Sequence, residues 1–254
     1  MDAFEALAQR LADAAGAEIL KYWRQPIDVD DKADESPVTI ADREAERVMR
    51  AMINATFPEH GILGEEFGNE RLDASHVWVL DPVDGTRAFI TGKPSFGTLI
   101  GLWSGKKPVL GVIDQPVTKE RWLGVSGGDC RLNGQPVHVR ACDDVKKAAL
   151  YATGPEMFSG DDMTRFEHLR KSVKLPRYGA DCYAYALLAT GFVDLVCEAN
   201  LKPYDYAAAV PVIEAAGGIV TDWQGQPVDL TTGGRILAAG DKRVHAQAVE
   251  ILNA

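Results

Sequence analysis

The chain of 254 residues is 46% hydrophobic and 25% charged, with a formal net charge of −10 at pH 7. This length can bury a large core, either in one domain or in two lobes that share a cleft. The acidic balance argues against a nucleic-acid surface, because phosphate backbones are bound by clustered Lys and Arg side chains.

The first part of the chain predicts two amphipathic helices separated by a polar segment. Apolar residues recur on one stripe over 4–19, which is typical of a helix packed on a core. A second stripe covers 41–53 and follows Thr39, with Asp42 placed as in a capping box. The acidic segment 25–37 between the two helices is predicted to be a solvated loop.

The middle of the chain predicts a largely antiparallel sheet. Three β-rich runs cover residues 96–103, 109–113 and 121–125, and turn residues separate them. Asn133 and Gly134 then form a dipeptide that is typical of a tight hairpin. With the two helices, these strands predict an α+β lobe that ends near residue 140.

The second half alternates helices and strands, which predicts an α/β lobe. Helices are predicted over 162–172, 183–190 and 206–216, and strands over 193–196, 218–221 and 236–239. The predicted fold class is therefore α/β. An α+β lobe over 1–140 would hold most of the metal ligands, and an α/β lobe over 141–254 would complete one catalytic unit, with the site in the cleft between them.

Two further absences bear on the compartment. No apolar run reaches the length needed to cross a bilayer, and the first residues lack the basic start of a signal peptide. The four cysteines have neither the spacing of a zinc site nor that of a disulfide framework. We therefore expect a cytoplasmic protein that binds neither membranes nor nucleic acids.

The segment 81–86 is the most informative motif. It places Asp81 and Asp84 directly after an apolar strand and ahead of Gly85 and Thr86. Carboxylates in this arrangement suit a hard cation such as Mg²⁺, and a glycine lets backbone N–H groups approach an anion closely. By itself the motif is equally compatible with a turn in which each carboxylate caps its own backbone.

Two other acidic blocks accompany this motif. Glu65 follows Gly64 upstream, and Asp205 lies downstream, ahead of an Ala-rich helix and a Gly-Gly pair at 217–218. In this order and spacing the three blocks resemble the inositol monophosphatase superfamily, and the resemblance runs over most of the chain. It implies a layered αβαβα sandwich and a Mg²⁺-dependent phosphatase.

The resemblance implies two to three Mg²⁺ ions per site. Glu65, Asp81 and the main-chain carbonyl of Val83 would hold one ion, and a third ion would bind weakly near Glu65. Asp81, Asp84 and Asp205 would hold the second. Two cations can stabilise both the attacking and the leaving oxygen of an in-line displacement.

The resemblance also implies that a metal-activated water attacks the phosphate, held between Glu65 and the hydroxyl of Thr86. Asp42 would pair with Thr86 and accept its proton; alternatively, Asp42 only caps the second helix. Gly85 and Thr86 would present backbone N–H groups to the substrate phosphate. Lys32 lies where family members have a basic residue near the metals, and a plain loop lysine is equally compatible with its position.

The stretches 89–100, 177–185 and 198–206 resemble the histidinol-phosphatase branch of this superfamily. Its substrate has an ammonium group and an imidazole, which acidic residues at the mouth of the cleft would attract. The predicted substrate-binding residues are Asp84, Gly85, Thr86, Arg177, Asp181, Glu198 and Asp205.

Some of these assignments have alternatives. Asp181 could instead be the N-cap of the following helix. An acidic residue at the position of Glu198 is also found in inositol-phosphate enzymes, where it binds sugar hydroxyls. Asn200 departs from the branch, in which we expect a glycine.

The sequence leaves three functional hypotheses. The first is a histidinol-phosphate phosphatase of histidine biosynthesis, which converts L-histidinol phosphate and water to L-histidinol and phosphate. The second is an inositol-1-monophosphatase, or a broad phosphatase of small monophosphates, on the same scaffold. The third is a partner-binding protein that keeps the fold without the chemistry. For the enzymes, the resemblance further implies a homodimer and inhibition by Li⁺.

Overall fold

The computed structural model describes residues 2–26, 29–31 and 37–254. At residues 2, 29–31, 37 and 38 it describes the backbone alone. The helices are α1 (Asp2–Leu20), α2 (Ile40–Thr56), α3 (Thr86–Ile90), α4 (Asp161–Ser172), α5 (Tyr183–Ala189), α6 (Pro203–Tyr206), α7 (Ala209–Ala215) and α8 (Lys242–Leu252). The strands are β1 (Val29–Asp31), β2 (Pro37–Thr39), β3 (Gly61–Gly64), β4 (Asn69–Glu70), β5 (Val77–Asp84), β6 (Gly97–Ser104), β7 (Lys107–Gln115), β8 (Glu120–Val125), β9 (Cys130–Leu132), β10 (Gln135–Val137), β11 (Ala149–Ala152), β12 (Leu175–Tyr178), β13 (Leu195–Glu198), β14 (Ile219–Asp222) and β15 (Ile236–Ala239).

Among the described residues, the first sheet has eight strands in the order β10-β9-β8-β7-β6-β5-β3-β4. Its strands from β5 to β10 are antiparallel, while β3 runs parallel to β5. The predicted antiparallel strands are thus confirmed. So is the hairpin, since Asn133 and Gly134 both adopt the left-handed backbone conformation that a tight two-residue turn requires.

The two predicted N-terminal helices are α1 and α2, and both cover one face of the first sheet. Leu11 and Ile19 of α1, with Met49 of α2, are completely buried against that face. The solvated loop predicted over 25–37 is wrong in part, because β1 pairs with β2 as a short antiparallel ribbon. Residues 27–28 and 32–36 of this segment, which include Lys32, lie outside the described part of the chain.

In the described part of the chain, the second sheet has five strands in the order β12-β11-β13-β15-β14. Helices α5, α6 and α7 fill the space between the two sheets, and α4 and α8 pack on the outer face of the second. The layers therefore follow one another as helix, sheet, helix, sheet, helix, which confirms the αβαβα sandwich. In the second half of the chain, the sequence patterns missed β11, β12 and α8.

Three glycines let α7 rest directly on the backbone of the first sheet. Gly101, Gly111 and Gly124 face one another in register across β6, β7 and β8. A Cβ atom on Gly111 would lie 2.1 Å from the carbonyl oxygen of Ala208, and one on Gly124 would lie 2.4 Å from Cα of Val212. The row of glycines thus fixes how closely the helix layer approaches the sheet.

The helix predicted over 206–216 is interrupted at residues 207–208, between α6 and α7. Pro211 has no N–H to bond the carbonyl of Ala207, and its ring would clash with that carbonyl in a continuous helix. The indole N–H of Trp103 donates to the carbonyl of Ala207 instead, at 3.0 Å. The break separates the short helix that holds Asp205 from the helix that packs on the sheet.

The division of the chain near residue 140 stays a prediction. The first sheet ends at Val137 and the second begins at Ala149, but one buried cluster joins Trp103 of the first sheet to Val196 of the second. Within the described residues, no helix is both long and apolar enough to cross a membrane.

Candidate active site

Strand β5 brings two carboxylates into one cleft by means of an irregularity. In a regular strand, residues three apart point to opposite faces of the sheet. The pairing of β5 with β6 shifts register between Asp81 and Asp84, as in a bulge, which removes this constraint. The irregular stretch is tied down twice, since Val83 N donates to Asp81 Oδ1 at 3.1 Å and Thr98 Oγ1 donates to the carbonyl of Pro82 at 2.8 Å.

Asp205 reaches the same place from the second half of the chain. Its carboxylate accepts a hydrogen bond from Lys202 N at 2.6 Å, which fixes it in the first turn of α6. One carboxylate oxygen from each of Asp81, Asp84 and Asp205 lies within 4.8 Å of the other two. Three oxygen donors at this separation form a donor set that suits a hard divalent cation.

The electrostatics of this cluster favour a bound cation. Burial raises the pKa of Asp81 well above its usual value, and the charges of Glu65, Asp84 and Asp205 raise it further. Burial also raises the pKa of Asp84, with repulsion from Asp205, Asp181 and Glu198 in the same direction. Asp205 has its pKa raised to about 7, again chiefly by burial. A cation among these oxygens would relieve both their desolvation and their mutual repulsion.

Glu65 follows β3 on a loop that α2 holds in place. Glu46 of α2 is completely buried and accepts hydrogen bonds from Glu66 N at 2.8 Å and Phe67 N at 3.2 Å. A Cβ atom on Gly64 would lie 2.1 Å from Glu46 Oε1, so only glycine admits this carboxylate. Arg50 completes the anchor: its Nε donates to Glu46 Oε1 at 2.7 Å and a guanidinium N–H donates to the carbonyl of Gly68.

Sequence reasoning missed this anchor. The available signal was Glu46 and Arg50, a charged pair one turn apart in which each residue directly follows an apolar position, Ala45 or Met49, of an amphipathic helix. Two charges on the buried face of a helix need partners, and the loop backbone after Glu65 supplies them.

Asp42 caps α2 and also lies near Thr86, while its role as a proton acceptor stays a prediction. Its Oδ2 accepts from the backbone N and the hydroxyl of Thr39, at 2.9 and 2.5 Å, in a capping box for α2. Its Oδ1 lies 3.4 Å from the hydroxyl of Thr86, which is also 3.1 Å from the carbonyl of Val83. The hydroxyl has one proton, so it can donate to only one of these acceptors at a time. Burial raises the pKa of Asp42 to about 6.

Gly85 adopts a left-handed conformation with φ of 85°, and α3 begins directly after it at Thr86. A Cβ atom on Gly85 would lie 2.8 Å from Cγ of Asp181, so the glycine leaves room for a carboxylate from the second half of the chain. Contact between the backbone of Gly85 and Thr86 and a substrate phosphate stays a prediction.

Asp181 does not cap the helix that follows it. The N-cap of α5 is Cys182, and no side chain caps that end. The carboxylate of Asp181 instead accepts from the hydroxyl of Ser95 at 2.7 Å. Cys182 N donates to Asp84 Oδ2 at 2.6 Å, so this segment also orients one of the clustered aspartates.

Glu198 lies at the end of β13 and is only 2% exposed. Its Oε1 accepts from the backbone N and the hydroxyl of Thr153, at 2.9 and 2.6 Å, and its Oε2 accepts from the hydroxyl of Tyr185 at 2.7 Å. Burial raises the pKa of Glu198. Sequence reasoning assigned no role to Thr153, which follows β11, or to Tyr185 of α5. Their common partner, Glu198, lies on a separate element, β13.

Two other residues of the predicted set behave differently. Arg177 is exposed on the edge strand β12 and does not line the cleft, so its contact with substrate stays a prediction. Asn200 has φ of 61°, a left-handed conformation that glycine adopts freely and that asparagine tolerates better than most residues. This explains why asparagine can stand where the branch pattern predicts glycine.

The three clustered aspartates share a cleft of about 260 Å³ with Glu65 and Glu198. A larger groove of about 510 Å³ lies between α1 and strands β7 to β9, but the aspartate cluster is not part of it. The cleft is lined by Glu65, Asp81, Val83, Asp84, Gly85, Thr86, Arg87, Thr153, Met157, Asp181, Cys182, Tyr185, Glu198, Leu201 and Asp205.

Known proteins resemble this chain in sequence and in fold along most of its length. The model of the inositol monophosphatase family matches residues 1–254. The chain is 51% identical over 261 residues to the chloroplastic bifunctional phosphatase IMPL2 of Arabidopsis thaliana, which covers 99% of this chain and 75% of that one. It is 36% identical over 222 residues to a histidinol-phosphatase of Chlorobaculum parvum, with 87% and 86% covered. The solved structure of an inositol monophosphatase from Zymomonas mobilis superposes with a TM-score of 0.91 at 46% identity, covering 98% and 97% of the two chains.

Proposed function

Because the chain belongs to the inositol monophosphatase family of phosphatases, we propose that it is a Mg²⁺-dependent hydrolase of L-histidinol phosphate, which yields L-histidinol and phosphate. The observation that carries this proposal is the carboxylate of Asp181, held in the cleft by Ser95 beside the predicted phosphate site at Gly85. It supplies an acidic hydrogen-bond acceptor where the alcohol part of the substrate would lie. The similarity to a histidinol-phosphatase supports the same substrate.

The residues of the cleft suit the cofactor as well. Asp81, Asp84 and Asp205, with Glu65 and the carbonyl of Val83, would hold Mg²⁺. When bound, the ions stabilise the charge that develops on the phosphate oxygens and lower the pKa of the attacking water. Carboxylate oxygens are the hard donors that Mg²⁺ prefers, and a bound cation would relieve the repulsion between them.

The side chains around this donor set would orient the reactants. The hydroxyl of Thr86 lies between Asp42 and Val83, so it can turn its proton toward Asp42 and leave a lone pair to accept a hydrogen bond from the attacking water. As the water loses a proton to the hydroxyl of Thr86, that hydroxyl would give its own proton to Asp42. The backbone N–H groups of Gly85 and Thr86 would bind the phosphate, and Glu198 and Asp181 would bind the alcohol part.

An inositol-1-phosphatase is the second candidate. Glu198 favours it, since a buried carboxylate fixed by Thr153 and Tyr185 can also accept hydrogen bonds from sugar hydroxyls. The fold similarity to an inositol monophosphatase supports it equally. The homodimer, the inhibition by Li⁺ and the cytoplasmic compartment stay predictions of the family resemblance.

The decisive experiment measures phosphate release with Mg²⁺ from L-histidinol phosphate and from myo-inositol 1-phosphate side by side. We expect kcat/KM to be at least about tenfold higher for histidinol phosphate, and Asp181→Asn to remove most of that preference, since a charge-assisted hydrogen bond contributes about 1.5–3 kcal/mol. Asp73→Asn, an exposed aspartate that does not line the cleft, is the control. A preference for the inositol ester would refute the proposed substrate, and no release from either ester would favour the partner-binding alternative.

A further inference from the structure

Ser95 is linked to the cleft by its hydrogen bond to Asp181. It lies in the turn between α3 and β6, is 6% exposed and does not line the cleft itself. Its hydroxyl donates to Asp181 Oδ2 at 2.7 Å. Asp181 itself is half-buried, and within the described residues no donor reaches its other carboxylate oxygen, Oδ1, so a solvent-accessible acceptor remains open in the wall of the cleft.

The backbone around Asp181 is also constrained. Asp181 has φ of 48°, a left-handed conformation that aspartate adopts more readily than most residues but less freely than glycine. Its side chain packs over Gly85, where any Cβ atom would come within 2.9 Å of both Cβ and Cγ of Asp181. Strain of this kind persists only where the surrounding structure fixes the conformation. The one remaining freedom of the carboxylate is rotation about its own bonds, and the bond from Ser95 restricts that rotation.

The charges that face Asp181 come from both halves of the chain. Burial raises the pKa of Asp181, whereas the hydrogen bond from Ser95 lowers it. Among the charges at the mouth of the cleft, Lys93 and Arg87 lower this pKa and Glu156 raises it. Arg87 is itself 3.5 Å from Glu156. These exposed charges partly cancel at the mouth of the cleft, so Asp181 would select its ligand by a short directional hydrogen bond more than by long-range attraction.

We propose that Ser95 is a positioning residue that sets substrate specificity through Asp181, by occupying Oδ2 and leaving Oδ1 to accept a hydrogen bond from an N–H group of the substrate. The inference rests on the proposed function and names the part of the substrate that the cleft reads: a nitrogen donor on the alcohol side of the phosphate ester. A hydroxyl can donate to the same oxygen, but a cationic N–H forms a bond about twice as strong.

The test compares Ser95→Ala with Ser126→Ala, which removes another serine hydroxyl that makes one hydrogen bond, to the carbonyl of Pro108, outside the cleft. For Ser95→Ala we expect KM for L-histidinol phosphate to rise about 3- to 10-fold with kcat within about twofold, the effect of one lost hydrogen bond. KM for myo-inositol 1-phosphate should stay within about twofold, and Ser126→Ala should leave the ratio of the two kcat/KM values unchanged. Equal losses on both esters, or no change on either, would show that Ser95 has only a structural role.

A double-mutant cycle adds a measurement, the ratio of the two kcat/KM values, that a change in the stability of the protein alone would not alter. In the Asp181→Asn background, removal of the Ser95 hydroxyl should have no further effect on the substrate ratio, because the two residues act as one unit. An additive effect would overturn the inference. The substrate ratio of the unmodified protein tests the proposed function separately: if that ratio favours inositol phosphate, the proposed function fails, whereas a further shift toward inositol phosphate in Ser95→Ala still supports the role of Ser95.

Discussion

Gly111→Ala should destabilise the fold by forcing α7 away from the first sheet. The new Cβ atom would lie 2.1 Å from the carbonyl oxygen of Ala208 and 2.8 Å from Cγ of Pro211. The nearer neighbour is backbone, so it cannot rotate away. It would have to move by more than about 1 Å to restore ordinary van der Waals contact.

The size of the effect follows from two opposing terms. Overpacking a tight contact costs about 1–3 kcal/mol, and more where the backbone must shift. Replacement of glycine by alanine inside a strand recovers roughly 0.5–1 kcal/mol through conformational entropy. Because the neighbour here is backbone, we place the overpacking cost at about 3 kcal/mol or slightly more. The net loss in the free energy of unfolding is then about 2–3 kcal/mol, which is a fall of roughly 4–12 °C in Tm for a chain of this size.

The assay is urea unfolding and thermal melting of the variant without added metal, followed by calorimetric titration with Mn²⁺ in place of Mg²⁺. Ala208 lies between α6 and α7, so its displacement should also move Asp205 and weaken metal binding about tenfold, as loss of outer support does in other metal sites. The matched control is Gly233→Ala, since nothing lies within 4 Å of a Cβ atom there and the backbone is not left-handed. If the free energy of unfolding of Gly111→Ala lies within about 0.5 kcal/mol of the control, a side chain at position 111 does not force α7 away from the sheet, and the prediction is refuted.

Three other changes test separate parts of the structure. Glu46→Gln should lower the free energy of unfolding by about 2–4 kcal/mol and weaken Mn²⁺ binding, because it breaks a buried ion pair behind the loop of Glu65; Glu44→Gln, in an exposed pair on the same helix, should cost less than about 0.5 kcal/mol, and equal effects of the two would contradict the anchor. Burial lowers the pKa of His245, so the stability that its neutral form provides is fully present above the unfolded pKa of about 6.5 and is lost as pH falls below it; urea midpoints between pH 7 and 5 should fall less steeply in His245→Gln, and an unchanged slope would refute this. Asn200→Gly should leave Tm nearly unchanged whereas Asn200→Val should cost about 1–2 kcal/mol, because the position is left-handed; a Val variant as stable as the parent would show that the backbone can rearrange there.

The sequence by itself determined the elements whose signals are local. Apolar stripes predicted α1 and α2, and a two-residue turn predicted the hairpin at Asn133 and Gly134. The order of three acidic blocks predicted the family and, with it, the layered fold. The helix and hairpin signals depend on residues that lie within a few turns or one strand of each other, where helical and strand periodicity are direct consequences of backbone geometry.

Local patterns failed where one residue or a long-range pairing decided the outcome. The pattern over 206–216 is helical, yet Pro211 and the bond from Trp103 to Ala207 divide it. Residues 29–31 are acidic enough to predict a loop, yet they pair as a strand with 37–39. In both cases tertiary contacts or a missing N–H outweighed the preference of the segment.

Only the tertiary structure decided how the candidate site is assembled. Ser95 meets Asp181 across 86 positions, and Asp84 accepts a bond from a backbone N–H 98 positions away. The same is true of the anchor behind Glu65, in which α2 supplies the partner for a loop backbone. A single sequence contains no periodicity that links such residues; they come together because the layers pack at a distance that glycines and buried side chains set, and because each buried polar group must find a partner there.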